Sequence, residues 1–186
     1  MDDIPALFPF IDADDELLKS LGRATMDFNA LEQELSEFIS RLIDAKDPHP
    51  AFVAVCELSF KTKLGVLMSE YELKVKLNSK REQLRHLLGI CGNIDKARNH
   101  YMHSFFYSDS SNSEKNKTQN RVRRLKPKSY ITKGFLLSPA LITPKELNDF
   151  SNRIRSIGIQ LLAMDSEYSI AKQSQYEHEK SQTTKT

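Results

Sequence analysis

The chain has 186 residues, of which 28% are charged and 39% hydrophobic, a balance typical of a globular protein and not of a disordered one. The formal net charge of +2 excludes a strong overall field that would attract nucleic acid. No stretch is apolar enough to span a membrane, and the start lacks the positive region of a signal peptide. We therefore expect a cytoplasmic protein with no membrane partner.

The N-terminal part of the sequence predicts an arm followed by a long helix. Residues 1–13 form the arm, and a helical domain is expected over residues 14–170. The first helix runs from about Asp14 to Ala45, and Leu18, Ile39 and Ile43 widen its apolar seam. The seam alternates steps of three and four, the spacing of a helix face that packs in a bundle: Leu17, Leu21, Ala24, Phe28, Leu31, Leu35, Phe38 and Leu42.

A second helix is predicted from about Ala51 to Lys76, after a break at the two prolines of residues 47–50. Its apolar face comprises Val53, Cys56, Phe60, Leu64, Leu67 and Tyr71. Gly65 would allow another backbone to approach closely. Cys56 and Cys91 lack the spacing of a disulfide framework or a zinc site, so both are expected to be reduced core residues.

The third helix begins at a predicted capping box, Ser79 with Glu82, and runs to about Phe106. Gly89 and Gly92 lie within it and would suit a close neighbouring helix. Its seam contains one charged residue, Arg98, among Leu84, Leu87, Cys91, Ile94, Tyr101 and Phe105. A guanidinium at an apolar position loses hydration and cannot lose its proton, so a carboxylate, a carbonyl or a ligand phosphate must compensate it.

The C-terminal third combines a loop, a basic arm and a last helix. Residues 108–120 are expected to be a flexible loop, and residues 121–142 a basic hairpin or extended arm with at most two short strands. Thr143 and Glu146 form a second capping box, and the polar tail of residues 171–186 is expected to fray. The last helix has the seam Leu147, Phe150, Ile154, Ile157, Leu161, Met164 and Tyr168. The fold predicted is all-α, an up-and-down bundle of four or five helices with a short basic hairpin or extended arm inserted before the last helix.

Arg98, Asn99 and His103, late in a helix of a small helical domain, resemble the signature of HEPN domains (higher eukaryotes and prokaryotes nucleotide-binding). The resemblance covers about residues 14–168. It implies a homodimeric, metal-independent ribonuclease in which two motifs face each other, without a cofactor. The branch of toxins that pair with a nucleotidyltransferase antitoxin usually has a tyrosine two places after the histidine. Phe105 stands there, which argues against that partner.

The resemblance also implies a role for each motif residue. His103 would move protons between the ribose 2′-hydroxyl, the phosphate and the leaving 5′-oxygen, giving a 2′,3′-cyclic phosphate. Arg98 would bind the phosphate, and Asn99 would orient the imidazole or donate to a phosphate oxygen. A 2′-hydroxyl is already next to its target, so the scheme needs no metal.

A run of basic residues before the last helix is the second candidate site. With the aromatic ring beside it, this run could follow an RNA backbone and stack a base. The alternative is a solvated surface strand. The residues are Arg121, Arg123, Arg124, Lys126, Lys128 and Tyr130.

Several alternatives remain open for the motif. Arg98 could pair with Glu32 or Glu34 of the first helix, and His103 could cap the end of its own helix. His100 and His103 with Asp95 could be mistaken for metal ligands, although no further ligand at convincing spacing supports that reading. Three functions are therefore considered: a ribonuclease of bacterial defence, stress response or a toxin–antitoxin pair, a non-catalytic module that binds RNA, a nucleotide or a protein, and a structural dimer.

Overall fold

The computed structural model describes residues 15–43, 48–102, 105–108, 122–130 and 134–183. The predicted N-terminal arm and nearly all of the predicted loop lie outside these ranges. Within these ranges the chain is helical, as predicted, with five helices: α1 Asp15–Ile43, α2 Pro48–Cys56, α3 Phe60–Lys74, α4 Asn78–Met102 and α5 Pro144–Thr183. A small sheet lies between α4 and α5 in the sequence: β1 Phe105–Ser108, β2 Val122–Tyr130 and β3 Gly134–Ile142.

The chain divides into two compact units. Unit 1 contains the part of α1 up to Phe28 together with residues Lys96–Arg153, and therefore includes the end of α4, the sheet and the start of α5. Unit 2 contains Asn29–Asp95 and the chain from Ile154 onward.

The seam of α1 is buried along its whole length, as its periodicity predicts. Leu35, Phe38, Ile39 and Leu42 are fully buried, and only Leu21 of the predicted seam is half-buried. Two of the three residues expected to widen the seam do not. Leu18 is 53% exposed and Ile43 is 40% exposed, because a helix in a bundle buries one stripe and not half of its circumference.

The single helix predicted over residues 51–76 is wrong, because the chain breaks at residues 57–59. Ser59 is an N-cap: its backbone is extended, and its hydroxyl accepts a hydrogen bond from the amide of Thr62 at 3.2 Å. The break changes the buried face, so that Cys56, expected in the core, is exposed and Val55 is buried instead. Val53, also expected in the core, is 50% exposed.

Both ends of α4 differ from the prediction. The helix begins at Asn78, which places Ser79 inside the first turn, and Glu82 pairs with Arg85 instead of closing a capping box. The helix ends at Met102, and the aromatic residues that follow belong to β1. Their β propensity and their pairing with β2 outweigh the helical spacing that continues to Phe105. Leu84, Leu87, Cys91 and Ile94 are buried, as predicted.

The glycines of α3 and α4 do not mark close helix contacts. A Cβ atom added at Gly65, Gly89 or Gly92 would have nothing within 4 Å, which contradicts the predicted close approach. Gly89 is exposed within a helix. We therefore expect Gly89→Ala to raise the free energy of unfolding by about 1 kcal/mol, since glycine is the poorer helix former and alanine meets no obstacle. Urea titrations of the two proteins would measure the difference, and a loss of stability would contradict the open space at this position.

The sheet is larger than the two short strands predicted. Its order is β1-β2-β3 with both pairs antiparallel, and β2 and β3 pair along nine residues each, from Val122 opposite Ile142 to Tyr130 opposite Gly134. The prolines of this region exclude a helix, but they are accommodated in the strands. Pro127 lies in the central strand, where it supplies no amide to the ladder.

The capping box at the start of α5 is confirmed. The amide of Glu146 donates to the Thr143 hydroxyl at 3.2 Å, and the amide of Thr143 donates to the Glu146 carboxylate at 2.9 Å. All members of the predicted α5 seam are buried except Tyr168, which is half-buried. The tail expected to fray is helical as far as Thr183. Among the described residues, no helix combines the length and the apolar character that a membrane span requires.

Candidate functional site

Arg98 lies one turn before the end of α4, in unit 1, against an aromatic ring. Its side chain is half-buried, and the guanidinium carbon is 4.5 Å from the centroid of the Phe28 ring. Phe28 is 3% exposed, so the ring is a fixed part of the core of α1. A guanidinium over an aromatic face gains about 0.5–2 kcal/mol, more when water is excluded. The apolar seam therefore accommodates Arg98 in part through this cation–π contact.

Contacts around Arg98 in unit 1 join the end of α4 to α1 and to the start of α5. The rings of Tyr101 on α4 and Phe150 on α5 lie 5.1 Å apart between centroids. The Thr25 hydroxyl on α1 lies 3.3 Å from the Met102 sulfur. Leu17, Ile142 and Leu147 form a buried cluster, against which Tyr101 packs. Arg98 thus projects from a packed segment in which tertiary contacts hold the helix end in place.

A second polar contact of unit 1 connects the residue before Phe28 to α5. The hydroxyl of Ser151, which is fully buried, donates to a carboxylate oxygen of Asp27. This contact fixes the turn of α1 that presents Phe28 to Arg98. Asp27 and Ser151 were not identified from the sequence, because a serine and an aspartate 124 positions apart show no spacing signal.

Glu32 and Glu34, the two carboxylates considered as partners of Arg98, pair with other cations of unit 2. The Lys63 ammonium lies 2.8 Å from Glu32, and the Arg41 guanidinium lies 3.8 Å from Glu34. These pairs disfavour Glu32 and Glu34 as the partners of Arg98. The structure does not test the contact with His103, because His103 lies outside the described residues. Asn99 is half-buried on α4, adjacent to Arg98 in the chain.

The predicted RNA-binding run lies in the central strand of the sheet. Five of its six residues occupy β2, whereas Arg121 lies outside the described residues. Positions 124, 126, 128 and 130 alternate along β2 and so share one face of the strand, while position 123 falls on the other. The five residues are Arg123, Arg124, Lys126, Lys128 and Tyr130.

Within the described part of the chain, no group of three or more histidine, cysteine, aspartate or glutamate side chains could hold a metal ion. Burial raises the pKa of the Cys91 thiol to about 12, so this thiol stays protonated at neutral pH and is a poor nucleophile.

Comparison with protein-family models, curated proteins and solved structures found no match.

Unit 2 contains an ionic cluster that the sequence analysis missed. We call it the Arg41 cluster: Arg41, Glu34, Glu37 and Asp165. Asp165 is 2% exposed and binds Arg41 through two contacts, one of them between Nε and Oδ1 at 2.9 Å. Glu37 lies 3.4 Å from the same guanidinium. Three carboxylates therefore share one cation, and burial, followed by the charges of Asp165 and Glu37, raises the pKa of Glu34.

A buried lysine is the second group that was missed. Lys63 is 3% exposed and lies on the apolar face of α3, between Phe60 and Leu67. It presents the same signal as Arg98, a cation at an apolar seam position, and its compensation is the Glu32 carboxylate. The signal alone therefore does not distinguish a binding site from an internal ion pair.

Three aromatic rings pack together in the core of unit 2. The Tyr71 ring lies 5.9 Å from Phe38 and 6.5 Å from Tyr168, between centroids. Burial, with smaller effects from Glu167 and Tyr168, raises the pKa of the Tyr71 hydroxyl. The neutral phenol therefore persists throughout the physiological pH range.

The Arg41 cluster predicts a pH-dependent stability. Because the pKa of Glu34 is higher in the folded protein than in the unfolded chain, the folded protein holds this proton more tightly, and stability falls as the pH rises through the titration of Glu34. We expect Glu34→Gln to be more stable than the native protein at pH 7.5 and to lose that advantage near pH 4. Urea titrations at both pH values measure the difference in unfolding free energy between the two proteins. Glu57→Gln, which removes an exposed carboxylate, is the control, and an equal gain at both pH values would contradict this assignment.

Proposed function

We propose that the protein is a HEPN-like, metal-independent endoribonuclease that acts as a homodimer, with Arg98, Asn99 and His103 of two copies at a shared cleft. The observation that carries the proposal is the position of Arg98. Its half-buried guanidinium occupies an otherwise apolar seam of α4 and lies over the Phe28 ring.

The chemistry follows from the properties of these side chains. The ribose 2′-oxygen attacks the adjacent phosphorus as His103 accepts its proton, and the bond to the 5′-oxygen breaks as that oxygen receives a proton from an imidazolium. The products are a 2′,3′-cyclic phosphate and a 5′-hydroxyl end. Arg98 binds two phosphate oxygens and stabilises the charge that develops on them. Asn99 orients the imidazole or donates to a phosphate oxygen.

The fixed guanidinium supports the role given to Arg98. A side chain that stacks on a buried ring loses less conformational freedom when it binds a phosphate than an exposed arginine does. The packed end of α4, with Tyr101 against Phe150, supports the same role because it limits movement of the backbone that carries Arg98.

The basic strand supplies an RNA path in this proposal. Positions 124, 126 and 128 are basic and lie on one face of β2, and Tyr130 follows on that face. A strand rises about 3.3 Å per residue, so alternate positions are about 7 Å apart, close to the phosphate spacing of an extended RNA strand. Arg121 and Arg123, the other two cations of the predicted RNA-binding run, raise the positive charge of this stretch of chain. The strand would therefore hold single-stranded RNA by its phosphates and one stacked base.

The cellular role proposed is RNA cleavage in bacterial defence, the stress response or a toxin–antitoxin pair, in the cytoplasm, with an antitoxin or a defence protein as the regulatory partner. Phe105 at the position of the toxin tyrosine argues against a nucleotidyltransferase as that partner.

The direct test is cleavage of single-stranded RNA by the purified full chain in the presence of EDTA. We expect products with 2′,3′-cyclic phosphate and 5′-hydroxyl ends, identified by mass spectrometry. A matched substrate with a single 2′-deoxy position should resist cleavage at that position. Cleavage that stops on chelation, or products with 5′-phosphate ends, would contradict the proposal.

A binding module without catalysis is the second candidate. The Arg98–Phe28 contact favours it independently of His103, because a stacked guanidinium offers an anion site whether or not a proton-transfer group is nearby. This candidate predicts RNA, nucleotide or protein binding without turnover, and loss of that binding in Arg98→Ala. Fluorescence anisotropy with labelled RNA, together with the cleavage assay, separates the two candidates.

A further inference from the structure

Helix α5 has apolar residues on two opposite faces in unit 2. One face is buried in the core, through Ile154, Ile157, Leu161 and Met164. The opposite face is open: Ile159 is 67% exposed, Leu162 is 49% exposed and Ile170 is 68% exposed. Exposed single apolar residues are common, but these three lie on one helix stripe, with only Ser166 on the stripe between Leu162 and Ile170.

This open stripe extends in both directions along the helix. We call it the outer α5 face: Arg155, Ile159, Leu162, Ser166, Ile170, Gln173 and Glu177. All seven side chains are exposed and fall within about 60° of one line along the helix, at 100° per residue. The helix continues for more than a turn beyond Glu177, to Thr183. The stripe therefore lies on a long helical segment.

The outer α5 face has internal symmetry about Ser166. Leu162 and Ile170 lie four residues to either side, and Ile159 and Gln173 lie seven residues to either side. The charged ends, Arg155 and Glu177, are each eleven residues from the centre and opposite in sign. An antiparallel second copy of the helix would place each residue against its symmetry counterpart.

We propose that the outer α5 face binds the α5 helix of a second copy of this chain, antiparallel and with the two-fold axis at Ser166. Leu162 then packs against Ile170 of the other copy, and Arg155 faces Glu177 of the other copy at both ends of the contact. A parallel arrangement would bring like charges together. This contact is a second one, separate from the shared cleft of the proposed function, because no residue of the Arg98 site takes part in it.

The first test measures self-association of the full chain by sedimentation equilibrium over a range of concentrations. We expect concentration-dependent self-association, and Ile170→Glu should raise the Kd of the α5 contact at least tenfold because it buries a charge there. Arg98→Ala should leave this Kd unchanged, which separates the α5 contact from the dimer cleft of the proposed function. Leu73→Glu is the matched control, since Leu73 is 76% exposed on α3 and should leave the Kd unchanged. A monomer at every concentration, or a Kd unaffected by Ile170→Glu, would overturn the proposal.

The second test exchanges the charges. Arg155→Glu and Glu177→Arg should each weaken the dimer several-fold, since each places like charges together, and the double exchange should restore the native Kd. Failure of the double variant to recover would exclude the antiparallel arrangement. Far-UV circular dichroism of each variant should match the native protein, because these residues lie on the exposed side of the helix.

A crosslinking experiment locates the axis. In a Cys56→Ser background, Ser166→Cys should crosslink to itself with a short bismaleimide. Gln173→Cys should not, because antiparallel helices place its two copies about 21 Å apart, at 1.5 Å per residue over fourteen residues. Crosslinking of both variants would indicate a parallel pair of helices. Crosslinking of neither would show that the two α5 helices do not meet at Ser166. Either result overturns the proposal.

Discussion

Substitution of His103 by alanine is expected to lower the rate of RNA cleavage by about 10²–10⁴-fold, the usual contribution of a general acid–base group. Under the proposed function His103 moves both protons of the reaction, so the loss falls on kcat and RNA affinity is retained. Cleavage assays under single-turnover conditions, with RNA binding measured in parallel by anisotropy, separate the two effects. The helical circular dichroism signal should not change.

Two further histidines of α4 provide the controls. His86 is exposed, and His86→Ala should cleave RNA at the native rate. His100→Ala tests the alternative in which His100, His103 and Asp95 bind a metal. That alternative predicts that His100→Ala lowers the cleavage rate as much as His103→Ala does, and that added metal does not restore the rate. Undiminished cleavage by His103→Ala would end the ribonuclease proposal. A loss of RNA affinity without a loss of rate would favour the binding module.

Arg98 provides an independent check of the same mechanism. Arg98→Lys keeps the charge but loses the planar fork that binds two phosphate oxygens, so it should retain only part of the activity. Arg98→Ala should lose both binding and cleavage. Equal activity of the lysine variant and the native protein would show that the fork is not used.

Substitution of Arg41 by alanine should destabilise the protein by about 3 kcal/mol at neutral pH, the lower end of the range for breaking a buried ion pair, since Arg41 is itself 38% exposed. The variant leaves Asp165 buried and charged, with Glu34 and Glu37 beside it and no cation among them. Urea titrations would measure the change in unfolding free energy.

The pH dependence and a double variant identify the cause of this loss. Near pH 4 the raised pKa of Glu34 keeps this carboxyl protonated, which leaves less uncompensated charge in the cluster, so the cost of Arg41→Ala should shrink. Arg41→Ala with Asp165→Ala should recover much of the stability at neutral pH, because the buried charge is removed along with its partner. A loss that is equal at both pH values would show that Arg41 contributes through the packing of its methylene groups.

The helices were predictable from the sequence because each one buries a single stripe. The seams of α1, α4 and α5 contain most of the buried hydrophobic residues of the described chain, and the Thr143 capping box correctly located the start of α5. The break before α3 was missed, although Ser59 is a good N-cap, because the apolar spacing continues through it. The hydrogen bond between the Ser59 hydroxyl and the Thr62 amide ends the helical run there, although the apolar spacing would allow it to continue.

The candidate site could be predicted only in part. Arg98 was identified because it breaks an apolar pattern, but its contact with Phe28 depends on tertiary packing between residues 70 positions apart. The same pattern occurs at Lys63, where the charge is satisfied internally by Glu32. The Arg41 cluster combines α1 with a distant turn of α5, and its buried carboxylate, Asp165, has no local signal in the sequence.

The two cysteines differ in a way that has practical value. Cys56 is exposed at the end of α2, whereas Cys91 is buried in α4, where its thiol has a pKa of about 12. A maleimide dye should therefore attach at Cys56 alone under native conditions, giving a singly labelled protein without mutagenesis. Slow modification of Cys91 would then report transient opening of α4, the helix that carries Arg98, and could be timed in the presence and absence of RNA.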